Sequence, residues 1–301
     1  METRTLGKTN LPVSRLGLGL SELGYELTLA DEARAAQVLN QALDAGINFL
    51  DTSACYNISE ELIGRTIAHR RDDYVLATKC GHVAGGYRGR DWTAQTITDS
   101  IERSLKRLKT DRLDLVQLHS CGVDVLEKGE AIEALLAAQK AGKTRFVGYS
   151  GDNEAALWAV RSGLFDTLQT SFNLVDQAAR RELFPAAQAQ GMGVIVKRPI
   201  ANAAWGAERS PSGYANDYFR RAQAMLAAGP IPGAPDDRIL LALGFALAHA
   251  AVDTVIVGTQ NPRHLAANIA LVESALPLAS EVVAALHGRF DQTEREWRQL
   301  R

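Results

Sequence analysis

Short apolar runs alternate along this chain with longer stretches whose apolar positions recur every three or four residues. The runs are 15–20, 47–51, 74–79, 112–119, 144–150, 165–172, 192–197 and 252–258. Most are rich in apolar side chains, as expected of strands covered on both faces. The stretches between them carry helical stripes. Val38, Leu39, Ala42 and Leu43 share one face, and Ile97, Ile101, Leu105 and Leu108 share another. Thr93 is placed to cap the second of these, while Gly46 and Gly142 stand where helices end. Further helices are predicted over 59–69, 126–142, 153–163, 179–191, 236–250, 262–274 and 280–300. A polar segment rich in glycine and proline, 199–236, carries one helical patch at 218–226.

Eight strands, each followed by a helix, predict an α/β fold of the (β/α)8 type, a TIM barrel, rather than a doubly wound sheet. Residues 3–16 fall outside this count and are expected to form a hairpin under the barrel. No composition shift marks a boundary, so residues 1–301 read as a single domain.

Composition narrows the picture. A net charge of -2 gives no reason to expect nucleic acid or an acidic membrane surface as a partner. The N-terminus has no apolar signal core, and no run is long enough to span a membrane. Three cysteines without metal-type pair spacing suit a reducing compartment, so a cytoplasmic location is expected and the sequon at Asn57 is read as coincidence. The sequence leaves the oligomeric state open.

Barrel enzymes work at the C-terminal ends of their strands. Those ends carry Asp51, with Tyr56 on the loop beyond, then Lys79 and His119. A free tyrosine has a pKa of about 10, and a lysine cation nearby would lower it. Asp51 could hold that ammonium in place. His119 could donate a hydrogen bond to a substrate oxygen, so the four could together protonate an oxygen that gains charge. Taken singly, each is a common turn, cap or surface residue; their placement on adjacent strands gives the set its meaning. Cys55, Cys80 and Cys121 follow the same strands, close to Asp51, His82 and His119. A metal-dependent hydrolase or lyase is therefore the alternative, and a non-catalytic nucleotide-sensing barrel is a third reading.

The stretches GINFLDTSACY, VLATKCG, SLKRLKTDRLDLVQLH and VIVGTQNPRHLAAN, in this order, resemble the aldo-keto reductase superfamily. The resemblance implies an NAD(P)H-dependent carbonyl reductase or alcohol dehydrogenase acting on an aldehyde, ketone or sugar. It implies NADPH as the cofactor, with NADH the second option. Tyr56 would be the general acid or base, tuned by Lys79 and Asp51, and His119 would orient the carbonyl. Ser150, Gln169 and Asn173 match cofactor positions, and Phe172 stands where a tyrosine commonly stacks on the nicotinamide. Lys197 and Arg198 open a loop resembling the one that straps the pyrophosphate. Gly258, Thr259, Gln260, Arg263, His264 and Asn268 fall in the frame of the adenosine phosphate site. Several positions depart from the family pattern: Gly151-Asp152 replaces an asparagine, His264 an arginine, and Ala267 a glutamate. Tyr25, His82, Arg88, Trp92 and Trp205 are substrate-side candidates, with Tyr214 near them.

Overall fold

Leu6, Leu11 and Val13 explain why the chain begins with a hairpin: they are the apolar plug of the barrel floor. In the computed structural model, which describes residues 1–293 and 297–300, β1 (Thr3–Thr5) and β2 (Pro12–Ser14) pair antiparallel. Their apolar side chains cluster with Phe49, Val75, Ala77, Leu115, Ile195 and Ile256, which project inward from the barrel strands. Gly7 makes the close approach feasible. Its φ is +47°, and a Cβ there would lie 2.1 Å from the backbone nitrogen of Gly193, a distance no side chain tolerates.

The barrel strands are β3 (Leu16–Gly19), β4 (Phe49–Asp51), β5 (Val75–Cys80), β6 (Leu113–His119), β7 (Thr144–Ser150), β8 (Thr167–Ser171), β9 (Gly193–Lys197) and β10 (Thr254–Gly258). They pair in parallel, in sequence order, and β10 closes back on β3. This is the (β/α)8 architecture expected from the alternating pattern. A larger apolar layer lies between the strands and the surrounding helices. Thr93 caps helix Ala94–Leu108 by accepting from the Thr96 N–H, as its position predicts.

Three expectations need correction. The stretch 126–142 is two helices, Val123–Lys128 and Glu130–Lys140, because Gly129 takes a left-handed conformation (φ +79°) that breaks the ladder. The C-terminal helix is Ser280–Thr293, and 297–300 are not helical; 294–296 lie outside the described residues. A short helix, Ser21–Glu26, directly follows β3 and had no counterpart in the sequence reading.

Strand register sets the rim. Gly19 pairs with Asp51 and with Gly258, Lys79 with Gln117, and His119 with Ser150, which pairs in turn with Gln169. Residues far apart in sequence thereby reach one level at the C-terminal ends of the strands.

Candidate active site

Asp51 and Lys79 are both 2 % exposed, so neither charge could persist there alone. They persist as a pair. Lys79 Nζ donates to Asp51 Oδ2 at 2.5 Å and to the Thr52 carbonyl at 2.9 Å. The other carboxylate oxygen, Oδ1, accepts from Gln169 Nε2 at 2.7 Å and from Gln117 Nε2 at 3.5 Å. Ser150 Oγ donates to Gln169 Oε1 at 2.9 Å, so the aspartate on β4 is tied to residues on β6, β7 and β8. Gln117 had escaped notice. The signal was there: two positions before His119 on one strand, it points to the same face.

Tyr56 sits on the loop beyond Asp51, with Lys79 Nζ 5.0 Å from its ring centroid. That loop is held from three sides. The Ala54 N–H donates to the Lys79 carbonyl at 3.1 Å, and Arg107 Nη1 donates to the Ala54 carbonyl at 3.2 Å. Helix Ser21–Glu26 packs so closely that a Cβ at Gly24 would lie 2.0 Å from the Tyr56 carbonyl oxygen. Burial pushes the Tyr56 hydroxyl above its ordinary pKa, and Lys79 pulls in the opposite direction. The net direction is upward, so the tyrosine is a protonated acid at neutral pH whose proton release Lys79 eases. The sequence argument from Lys79 alone had the sign of its contribution right but omitted the larger effect of burial.

His119 stands edge-on to Tyr56, with ring centroids 5.7 Å apart. Burial, and then Lys79, the neighbouring His82, Lys197 and Arg198, hold its pKa well below the usual histidine range. The ring is therefore neutral and keeps one N–H. Nδ1 lies 3.3 Å from Ser53 Oγ and 3.4 Å from Cys55 Sγ.

A cavity of about 810 Å³ opens above these groups, lined by Asp51, Tyr56, His119, Ser150, Gln169, Lys197, Arg198, Gly258 and Tyr25, all anticipated from sequence. Ser21, Glu22, Ser120, Asn202 and Ala203 also line it and were not anticipated. On the far wall Lys197 Nζ is 2.8 Å from Asp152 Oδ2. Arg198 donates to Ser171 Oγ, the Tyr218 hydroxyl and the Leu300 carbonyl at 2.9–3.3 Å, and its guanidinium lies 5.1 Å from the Tyr214 ring centroid. Asp152, read from sequence only as a departure from a pattern, is the counter-charge of this wall.

Several candidates are placed elsewhere. Phe172 does not offer a stacking face: its ring is sealed against Phe184, Phe245 and His249. Asn173 is fully buried and donates to the Arg198 carbonyl at 3.0 Å, so it shapes the strap rather than lining the cavity. Lys79 lies behind the lining, under Tyr56. Thr259, Gln260, Arg263, His264 and Asn268 are not among the lining residues either; Thr259 Oγ1 accepts from the Asn261 N–H, and Arg263 and His264 are exposed. Of the substrate-side set Tyr25 lines the cavity, as does Tyr214, named beside that set. His82 packs between His119 and Trp92, Trp205 is buried, and Arg88 is exposed. Among the described residues, no three His, Cys, Asp or Glu side chains converge as a metal site. Burial raises all three thiols, Cys121 to about 12, away from the thiolate form that binds metal.

A parallel (β/α)8 barrel with titratable groups gathered around a cavity at its strand ends is the arrangement of a barrel enzyme. A model of the aldo/keto reductase family matches residues 15–288, and the chain belongs to that family and is an oxidoreductase. It is 30% identical to an L-galactose dehydrogenase of Arabidopsis thaliana, covering 90% of this chain and 88% of that one. Identity to a D-threo-aldose 1-dehydrogenase of Pseudomonas sp is 28%, over 89% and 92% of the two chains. The structure of the aldo-keto reductase AKR11C1 from Bacillus halodurans, in its holo form, superposes with a TM-score of 0.79 at 29% identity over 96% of each chain. No helix among the described residues is long and apolar enough to cross a membrane.

Proposed function

We propose that this protein interconverts a carbonyl group and an alcohol on a small sugar or related aldehyde or ketone, using a nicotinamide dinucleotide. One observation carries the reading: Tyr56, beside the buried Lys79–Asp51 pair and edge-on to a neutral His119, opens on one cavity. The residues present fit a dinucleotide. The cavity volume lies within the usual range for cofactor sites, about 300–1,000 Å³. Its strap carries a buried amide nitrogen, Asn202 Nδ2, without a partner, and beside the rim Gln260 Oε1 is likewise buried and unpaired. Lys197 and Arg198 provide positive charge for a phosphate-bearing ligand.

When bound, the dinucleotide supplies or receives the hydride. The chain's own residues handle the proton and the geometry. His119, neutral, donates to the carbonyl oxygen and fixes its direction. Tyr56 delivers its hydroxyl proton to the oxygen as charge develops there, and Lys79 stabilises the resulting phenolate. Asp51 keeps Lys79 charged and in place. In the alcohol direction the phenolate takes the proton back. Ser150 and Gln169, locked to each other and to Asp51, present a fixed polar edge to the cofactor's carboxamide. Tyr25, Ser120 and Tyr214 offer hydroxyls to a polyol, which supports a sugar substrate, as do the names of the two dehydrogenase relatives.

The test is an assay of NADH and NADPH oxidation, and of the reverse reaction, against a panel of aldoses, simple aldehydes and ketones. Turnover of aldoses above simple alkyl aldehydes is expected. Dinucleotide binding without turnover of any carbonyl or alcohol would sink the catalytic reading in favour of a nucleotide-sensing barrel.

A further inference from the structure

We infer that Glu22 makes this cavity select the dinucleotide without a 2′-phosphate, NADH over NADPH; the inference rests on the oxidoreductase reading above. Helix Ser21–Glu26 begins directly where β3 ends, and this places Glu22 on the cavity wall beside Gly19, Val257 and Gly258. Gly258 is the element that makes room. It pairs in register with Gly19, and a Cβ added to it would lie 3.3 Å from Glu22 Oε1. The carboxylate thus occupies the space that a side chain at 258 would fill. A longer basic side chain there would have turned this corner into a phosphate site; with glycine, the group that faces the cavity is an acid.

The corner is acidic beyond Glu22. Glu26, one helical turn on, accepts from Gln260 Nε2 at 2.5 Å, which draws a second carboxylate onto the loop after β10. The basic side chains nearby stand outside the cavity. Arg34 Nε donates to the Gln260 carbonyl at 3.1 Å, and Arg263 and His264 are exposed on the outer helix Pro262–Ser274. None of the three lines the cavity.

Nicotinamide chemistry requires one end of the ligand at Tyr56 and His119. The cationic wall, Lys197 and Arg198, suits the pyrophosphate. The second ribose is then left to the remaining sector of the rim, formed by the ends of β3 and β10. A carboxylate there accepts hydrogen bonds from the 2′- and 3′-hydroxyls. The same carboxylate repels a 2′-phosphate that carries close to two negative charges. One departure in the sequence points the same way: His264 stands where the family pattern has an arginine, a cation that would have favoured the phosphate.

The experiment is isothermal titration calorimetry of the full chain with NADH and with NADPH, with no substrate, for the native protein and for Glu22→Gln and Glu22→Arg. Native protein is expected to bind NADH at least about tenfold more tightly than NADPH. Glu22→Gln should shrink that ratio, chiefly by tightening NADPH, and Glu22→Arg should invert it. Thermal unfolding of each variant checks that the fold is intact. NADPH binding as tightly as NADH or more tightly in the native protein overturns the inference and leaves the oxidoreductase reading standing. A ratio unmoved in both folded variants removes Glu22 as its cause. Binding of neither dinucleotide overturns the oxidoreductase reading, and this inference with it.

Discussion

Asp51–Lys79 and Asp152–Lys197 are the same two residue types on one barrel rim, yet their surroundings give them opposite character. In the first pair Asp51 and Tyr56 outweigh burial, and the Lys79 pKa is raised. In the second, burial together with Arg198 and Lys79 outweighs Asp152, and the Lys197 pKa is lowered. Lys79 is the lone cation of an otherwise anionic or neutral set, so its charge is secure and available to a phenolate. Lys197 belongs to a crowded positive wall that an anionic ligand would relieve. A buried ion pair is therefore defined less by its partners than by the next charge along. The first pair serves proton transfer, the second serves ligand charge.

The largest effect expected from breaking this contrast is on chemistry. Tyr56→Phe should cut turnover by about 10² to 10⁴, the range set by loss of a general acid. Dinucleotide affinity, read by calorimetry, should change little because the ring and its packing remain. Lys79→Met should produce a similar loss, and in addition a pH–rate profile for alcohol oxidation shifted to higher pH, since nothing then favours the phenolate. A variant lacking the Tyr56 hydroxyl that still reduces carbonyls at the native rate would end the assignment.

Asp152→Asn tests the other pair. It leaves Lys197 beside Arg198 without its counter-charge: the asparagine oxygen can still accept from Thr170 Oγ1 and the Ser171 N–H, so the amide nitrogen, a donor, is the group turned toward Lys197 Nζ. Breaking a buried pair from one side costs roughly 3–5 kcal/mol, so a large fall in the urea midpoint is expected. Replacing Lys197 as well, in Asp152→Asn/Lys197→Met, should recover part of the stability while dinucleotide affinity falls. If the single variant unfolds at the native midpoint, Asp152 is not the support of that wall.

The pH dependence of stability sharpens the comparison further. Burial pushes the Asp152 pKa up, but the charge and hydrogen bond of Lys197, the Ser171 N–H and Arg198 together hold it below its ordinary value. Its contribution is present above about pH 4 and is lost as pH falls through the lowered value. Asp176, its neighbour, goes the other way. Burial pushes it from 3.8 up to about 7, against the Leu300 N–H and Arg221. Between those two values the folded protein binds more protons than the unfolded chain, so stability falls as pH rises from about 4 to about 7. Asp176→Asn should flatten that decline in denaturant melts at pH 4.5 and 7, and an unchanged slope would contradict it.

The sequence carried the first pair plainly because its members end successive apolar strands, where a charge has few structural excuses. The second pair was obscured: Asp152 follows Gly151 in a loop, and nothing local says which lysine it meets. Gln117 was hidden inside an apolar strand, and Glu22 on a helix of six residues, fewer than two turns, too short to print a period. Phe172 was misplaced for a geometric reason. Gln169 reaches Asp51 inside the barrel, and Phe172, three positions on, falls on the opposite face by the strand's alternation. The ring therefore joins the aromatic layer outside the barrel instead of the cavity. Barrel topology was legible throughout because eight strand–helix units leave one economical closure; the 126–142 helix failed only at Gly129, where residues with good helical character flank a left-handed turn.

The smallest effect is a control on which surface the substrate meets. The loop after β5 invited a substrate role because it carries Arg88 and Trp92 near a catalytic strand. Yet Arg88 is exposed and outside the cavity lining, whereas Tyr25 lines it, with its ring 5.9 Å from that of Tyr56. Arg88→Ala should leave KM for any substrate within about twofold, as surface substitutions remote from partners usually do. Tyr25→Ala should raise KM several-fold with a smaller change in kcat, because it removes binding surface rather than the acid. A large KM effect at Arg88 with none at Tyr25 would move substrate recognition from the β3 side of the rim to the β5 side, and with it the division between a proton-handling wall and a ligand-charge wall.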